Sequence, residues 1–332
     1  MRQRILPHFI ILKINMKSAI LYGPHDWRIE ERSTPAVKEN EVLLKIKACG
    51  VCHSEIHQWD KKIEGLDYPR FIGHEVAGEI VKTGAIVKQL KPGDRVAAWT
   101  DGKGYAEEIA VNQEMVFKIN DEISFAEAMA EPIACTTNGV IRENIQMNDS
   151  VALVGTGFMG LILLQELKLR GVSQIIAIDI RDEMLQLAKS LGADIIINPL
   201  KENPVAKIHS LTDGKGVDIS FEIGGVQATL DIAPEVCRME GKLVIFGYHP
   251  GERIIRDLGY WNWMAFNIIN AHFRDINTIL EGARVGMDLL NSGKISMKPL
   301  ITHTFKLNDI EAAFNAALTK PEWFVKSVIV MD

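Results

Sequence analysis

Four cysteines in 332 residues, at positions 49, 52, 135 and 237, are too few and too scattered for a disulfide framework, which points to a reducing compartment. No apolar run approaches the ~18 residues that a spanning helix needs, and the chain is read as cytoplasmic. Positive charge is scarce too: 37 Lys and Arg against 43 Asp and Glu leave a net charge of −6. Such a chain has no global basic field to hold nucleic acid or an anionic membrane, and neither is expected as a partner. Internal repeats and low-complexity tracts are also absent. What remains is an ordinary globular composition, 47% hydrophobic and 24% charged, at a length that suggests about two domains.

Met1 to Asn15 carries Arg2, Arg4 and the short run Phe9-Ile10-Ile11-Leu12, a faint echo of a signal peptide. Pro7, His8 and Lys13 interrupt it and no small-residue cleavage site follows, so it reads as an N-terminal extension, either a tail or an upstream start.

The stretch from Cys49 to Asp94 organises the chemistry. Cys49-Gly50-Val51-Cys52-His53-Ser54-Glu55-Ile56-His57 and Gly73-His74-Glu75 together offer thiolate, imidazole and carboxylate donors. Zinc takes N, S and O ligands, and a catalytic zinc uses three protein ligands with one position open. Taken alone, Cys49-x-x-Cys52 after the strand-like Val42 to Ala48 has a second meaning, a redox dithiol. A lone His74 is more often packing than ligand, and only the downstream context separates the readings.

That context is Gly73-His74-Glu75-Val76-Ala77-Gly78, then Gly84, then Pro92-Gly93-Asp94-Arg95-Val96. The spacing resembles the zinc signature of the medium-chain dehydrogenase/reductase superfamily. Short extended runs at Ala19–Tyr22, Val42–Ala48, Glu75–Lys82, Arg95–Ala98 and Ala106–Val111, broken by Gly and Pro, fit an antiparallel β domain. The resemblance implies that this is a GroES-like catalytic domain over residues 16–134. Relatives often carry a four-cysteine lobe for a structural zinc here. This chain has only Ala97 to Lys103 before Gly104-Tyr105-Ala106-Glu107, without a cysteine, so one catalytic zinc (Zn2+) per chain is expected.

Further along, Val151-Ala152-Leu153-Val154 leads into Gly155-Thr156-Gly157-Phe158-Met159-Gly160 and a helical Leu161 to Arg170. A glycine-rich turn between strand and helix lets the backbone approach a pyrophosphate at the helix N-terminus. Asp179, nineteen residues after Gly160, ends the next strand, where a carboxylate accepts from ribose hydroxyls and opposes a 2′-phosphate. NAD is therefore expected over NADP, with Arg181 two residues on as the feature that weighs against it. Alternation continues with Arg181–Leu191 helical, Asp194–Ile197 and Val217–Glu222 extended, Ala228–Arg238 helical and Gly241–Phe246 extended. This predicts βαβ units and a Rossmann domain, a doubly wound parallel sheet, over residues 135–275. A helix from Thr278 to Asn291 and a mixed segment from Ile301 to Val330 would then return to the catalytic domain over 276–332, leaving the active site in the cleft.

The resemblance assigns roles residue by residue. Cys52, His74 and Glu75 would hold the zinc. Glu131-Pro132, which opens a helix, resembles the sorbitol-type branch, where Glu131 supplies a carboxylate directly or through water; on its own it reads as a solvated Glu at a helix N-terminus. Ser54 and His57 would relay the proton, His53 would face the pyrophosphate, and Glu55 stands where relatives place an Asp behind the ligand His. Zinc would polarise a substrate hydroxyl while hydride leaves for NAD, giving a ketone from a secondary alcohol or polyol. A threonine-type amino-alcohol dehydrogenase and a non-catalytic nucleotide-binding relative are the alternatives. A homo-oligomer, dimer or tetramer, is expected. Trp261, Trp263, Phe266, His272 and His303 receive no role.

Overall fold

The structure is a computed structural model that describes residues 15–61 and 63–331. All of the expected N-terminal extension except Asn15 lies outside these residues, and Asn15 itself opens a hairpin of Asn15–Gly23 with Asp26–Ser33.

Six strands form a wholly parallel sheet in the order Ile195–Ile197, Gln174–Ile178, Ser150–Val154, Val217–Glu222, Cys237–Ile245 and Asn267–Asn270. Strands covered by helices on both faces must be apolar on both faces, which is why Val151 to Val154 and Ile175 to Ile178 are continuous buried runs. One face packs Leu153 and Phe221 against the helix Phe158–Leu169, and the other packs Val154 and Leu243 against Gln227–Val236. The order reverses beside Ser150–Val154, the first strand of this sheet in sequence. A crevice at the carboxyl ends of such strands is where this sheet type binds ligands.

The second sheet runs Ile301–Lys306, Lys326–Val330, Glu41–Gly50, Glu75–Thr83, Arg95–Trp99 and Val116–Lys118, with Glu108–Asn112 also on Glu41–Gly50. The last segment of the chain thus completes the sheet that the first segment began. Register does the rest: Gly50 lies opposite both Glu75 and Val328. The end of one strand, the start of a second and the middle of a third therefore meet at one corner.

One boundary differs from expectation. The helix stops at Val236, and Cys237 opens a strand that reaches back past Gly241, pairing with Val217 before a register shift to Lys242. Cys237 is buried, so Cys237–Arg238 serve the sheet and not the helix. No helix among the described residues is long and apolar enough to cross a membrane.

Candidate metal and cofactor site

The corner where three strands meet carries the donors. Cys52 is the N-cap of the helix His53–Trp59, and the backbone N–H of Cys52 donates to Glu55 Oε2 at 3.5 Å. Donor atoms of Cys52, His74 and Glu75 lie within 4.8 Å of one another. Glu131, in the first turn of the helix Ala130–Ile141, stands outside that group of three. Its carboxylate accepts from Cys135 Sγ at 3.5 Å and is held up in pKa by burial and by the nearby Glu75, against the pull of His74 and Lys326.

Behind His74, Glu55 is fully committed. Its Oε1 lies 2.8 Å from His74 Nδ1 and accepts from the Gly73 N–H at 2.6 Å, while Oε2 accepts from the Tyr105 hydroxyl at 2.5 Å. Burial would raise this carboxyl, but His74 and the two hydrogen bonds bring it below its ordinary value. With Nδ1 tied to Glu55, Nε2 is the nitrogen left for the cluster. A carboxylate that fixes the tautomer of a histidine ligand is a common support of metal sites.

Two residues at the corner escaped the reading of the sequence. Tyr105 is one. The other is Lys326, buried, with Nζ at 2.8 Å from Glu75 Oε1 and 2.6 Å from Oε2, the latter outside hydrogen-bond geometry. Burial alone would depress the ammonium's pKa, but Glu75 and Cys52 raise it above its ordinary value. Nζ also stands 4.4 Å from the Phe158 ring centroid, the first residue of the helix after the glycine turn. The signal for Lys326 was a lone cation inside Phe324-Val325-Lys326-Ser327-Val328-Ile329-Val330, which has to find an anion when that run is buried.

The remaining site residues fall on both sides of the cleft. The Ser54 hydroxyl donates to Cys52 Sγ at 3.2 Å, and the ring of His57, buried, lies 4.6 Å from that of the exposed His53. Cys49 is fully buried and its thiol is pushed well up by burial, the reverse of what a redox dithiol needs. Across the cleft, the Gly155 turn joins strand to helix with φ +111°, and a Cβ there would meet Gly224 N at 2.8 Å, so only glycine fits. Asp179 follows its strand as expected. Its Oδ2 accepts from the Thr156 N–H at 2.9 Å and Oδ1 from the Arg181 N–H at 3.0 Å, which fixes the carboxylate beside the turn.

Two family models match this chain, the alcohol dehydrogenase GroES-like domain over residues 38–146 and the zinc-binding dehydrogenase over residues 159–280. A sorbitol dehydrogenase from Bacillus subtilis (strain 168) is 30% identical over 338 aligned positions, spanning 92% of this chain and 94% of that protein. The chain belongs to the zinc-type medium-chain dehydrogenase/reductase family. A 2R,3R-butanediol dehydrogenase structure from Bacillus subtilis matches with TM-score 0.82 at 29% identity, covering 96% of this chain and all of that one at 100%. An Escherichia coli oxidoreductase/dehydrogenase of unknown specificity matches with TM-score 0.86 at 27% identity, with coverage of 96% and 100%.

The expected fold, a GroES-like domain with a Rossmann sheet, is thereby borne out, and zinc and NAD(P) are the cofactors of this medium-chain dehydrogenase. The residues fit both. A thiolate, an imidazole nitrogen and a carboxylate converge, which is zinc's preferred mixture. Beyond them, a Cβ at Gly155 or Gly160 would collide with backbone, whereas nothing lies within 4 Å of one at Gly157, the N-cap of the helix, which leaves open space where a dinucleotide's phosphates approach.

Proposed function

We propose that this zinc-type dehydrogenase oxidises a secondary alcohol or polyol to a ketone, with NAD as hydride acceptor. The observation that carries the reading is the donor set: Cys52, His74 and Glu75 converge, and a further carboxylate, the half-buried Glu131, sits within electrostatic range of His74 and Glu75. A carboxylate-rich site can meet the extra hydroxyls of a polyol with hydrogen bonds. The sorbitol and butanediol dehydrogenases among the relatives support the same class.

In this reading Cys52, His74 and Glu75 hold the metal, and Glu131 lends its carboxylate directly or through water. Zinc at these donors would supply the Lewis acidity that makes a hydroxyl easier to deprotonate. Ser54 stands against Cys52 and takes the hydroxyl proton. His57, three positions on, shares a face of the same helix with Ser54 and passes the proton outward. His53 faces the pyrophosphate, with Gly155, Gly157, Phe158, Met159 and Gly160 forming the turn beneath it. Asp179 accepts from the adenosine ribose and its charge disfavours a 2′-phosphate, so NAD is preferred to NADP. Arg181 does not offset this, because its Nη1 donates to the Phe324 carbonyl at 2.9 Å.

We also read the chain as a cytoplasmic homo-oligomer divided at 16–134, 135–275 and 276–332. The test of function is a panel of polyols, simple secondary and primary alcohols, and threonine, followed by absorbance of the reduced cofactor. Secondary alcohols and polyols should lead. A preference for primary alcohols would overturn the reading, and a preference for threonine would move it to amino alcohols.

A further inference from the structure

At the carboxyl end of the strand Cys237–Ile245 the chain runs Phe246-Gly247-Tyr248-His249 and places the Tyr248 ring beside His57 of the helix His53–Trp59. Tyr248 is 44% exposed, its ring 6.1 Å from His57 and 6.5 Å from His272. The contact between Tyr248 and His57 joins the helix His53–Trp59 to the loops of the parallel sheet. Its hydroxyl makes no hydrogen bond to another described residue. The cleft therefore presents a phenol, both donor and acceptor, with its polar end uncommitted.

An exposed aromatic is commonplace, but this one is held. Glu222, whose side chain is completely buried, ends the neighbouring strand Val217–Glu222. It accepts from the Gly225 N–H at 2.9 Å and the Thr229 hydroxyl at 2.5 Å, and its Oε2 lies 2.7 Å from His249 Nε2. Gly225, at φ +67°, lets the Tyr248 carbonyl pack so closely that a Cβ there would collide with it. A network so nearly satisfied at this depth fixes its members in one geometry. The residue next to Tyr248 and the peptide of Tyr248 itself are thus both anchored on the parallel sheet.

We infer that Tyr248 is a specificity-determining residue whose phenol hydroxyl hydrogen-bonds a second hydroxyl of the substrate, beside the carbon being oxidised. The inference rests on the secondary alcohol or polyol reading. The reacting oxygen belongs near Ser54, which touches Cys52, and His57 lies one turn further along the same helix. Tyr248 flanks His57, so the part of the substrate beyond the reacting carbon meets it. A hydroxyl there finds a donor and acceptor, whereas a bare methylene finds only the ring.

The experiment compares wild type and Tyr248→Phe, both loaded with zinc, on 2,3-butanediol and on 2-butanol, which differ by one hydroxyl. The wild type should favour the diol, and the diol-to-alcohol ratio of kcat/KM should fall about tenfold in the variant, as loss of one hydrogen bond to substrate implies. The fall should lie mainly in KM for the diol. Calorimetric titration of the diol into the enzyme with NADH bound should show a parallel weakening. An unchanged ratio, with both substrates slowed alike or neither affected, would overturn the inference, as would a wild type indifferent to the second hydroxyl. A wild type that oxidises neither compound is a different result, because it removes the functional reading itself.

Discussion

Glu75 answers to two positive groups, the metal that its neighbours Cys52 and His74 imply and the Lys326 ammonium 2.8 Å away. Breaking a buried pair leaves an uncompensated charge and costs about 3–5 kcal/mol. Lys326→Met should therefore lower the melting temperature of the zinc-free protein, where Glu75 loses its only neutralising partner of the two. With zinc bound the metal's charge faces the same carboxylate, so the fall should be smaller. Scanning calorimetry on both forms decides it, and equal falls would mean that Glu75 does not face the metal. Glu166 gives a second residue-scale prediction, this time in pH. It is buried under the helix Ala130–Ile141, and burial pushes its carboxyl up to about 8, against hydrogen bonds from Thr137 at 2.7 Å and Thr136 at 3.3 Å. An unfolded Glu titrates near 4.5. Between these values the folded state binds the extra proton, so stability is fully present below pH ~4.5 and drains away as pH rises through about 8. Glu166→Gln has no proton to lose. Its stability relative to wild type should rise between pH 5 and pH 8 by on the order of a few kcal/mol, read from urea melts. A difference that does not change with pH would show that the carboxyl titrates normally.

Elements differ in how plainly the sequence announces them. The parallel strands were legible because burial on both faces demands unbroken apolar runs, and Gln174 to Ile178 has no other use. The glycine turn was legible because at Gly155 and Gly160 a Cβ would collide with backbone, so the chain must use glycine there. Asp26–Ser33 was not foreseen: Asp26-Trp27-Arg28-Ile29-Glu30-Glu31-Arg32-Ser33 is almost all polar, and it is a strand only because it pairs with Asn15–Gly23. Pro204–Leu211 and Leu258–Met264 are short helices whose Asn203 and Asp257 caps, accepting from Ala206 and Tyr260, are visible only afterwards. In the site, Cys52, His74 and Glu75 could be read because Gly73-His74-Glu75-Val76-Ala77-Gly78 and the glycines after it resemble the family's zinc signature. Lys326 sits 251 residues from Glu75, and no local pattern encodes that pairing. Glu131 shows the converse: a motif placed it near the metal, whereas the structure brings it within electrostatic range of His74 and Glu75 but outside the tight group.

At the scale of the molecule, the chain builds most of one sheet, threads a second, and then returns to finish the first with Ile301–Lys306 and Lys326–Val330. That return is what carries Lys326 to the metal corner and Phe324 to Arg181, so the cleft depends on both ends of the chain. A single core cluster runs from Ala77 and Ala97 through Ile133 to Leu153, which ties the metal-bearing sheet to the cofactor sheet. The number of metals follows from the same inventory. Among the described residues one group of three donors converges, Cys52 with His74 and Glu75. The other thiols are poor competitors: burial pushes Cys49 and Cys135 well up and Cys237 up to about 12, and a zinc ligand must be the thiolate. One zinc per chain is therefore expected by elemental analysis of protein purified with added metal. Chelation should lower the melting temperature and returning zinc should restore it, because a ligand that binds only the folded state at 100 times its Kd contributes about 2.7 kcal/mol. His74→Ala should abolish both the bound zinc and the shift while leaving a folded protein. Two zincs per chain, or one retained by that variant, would place the metal elsewhere.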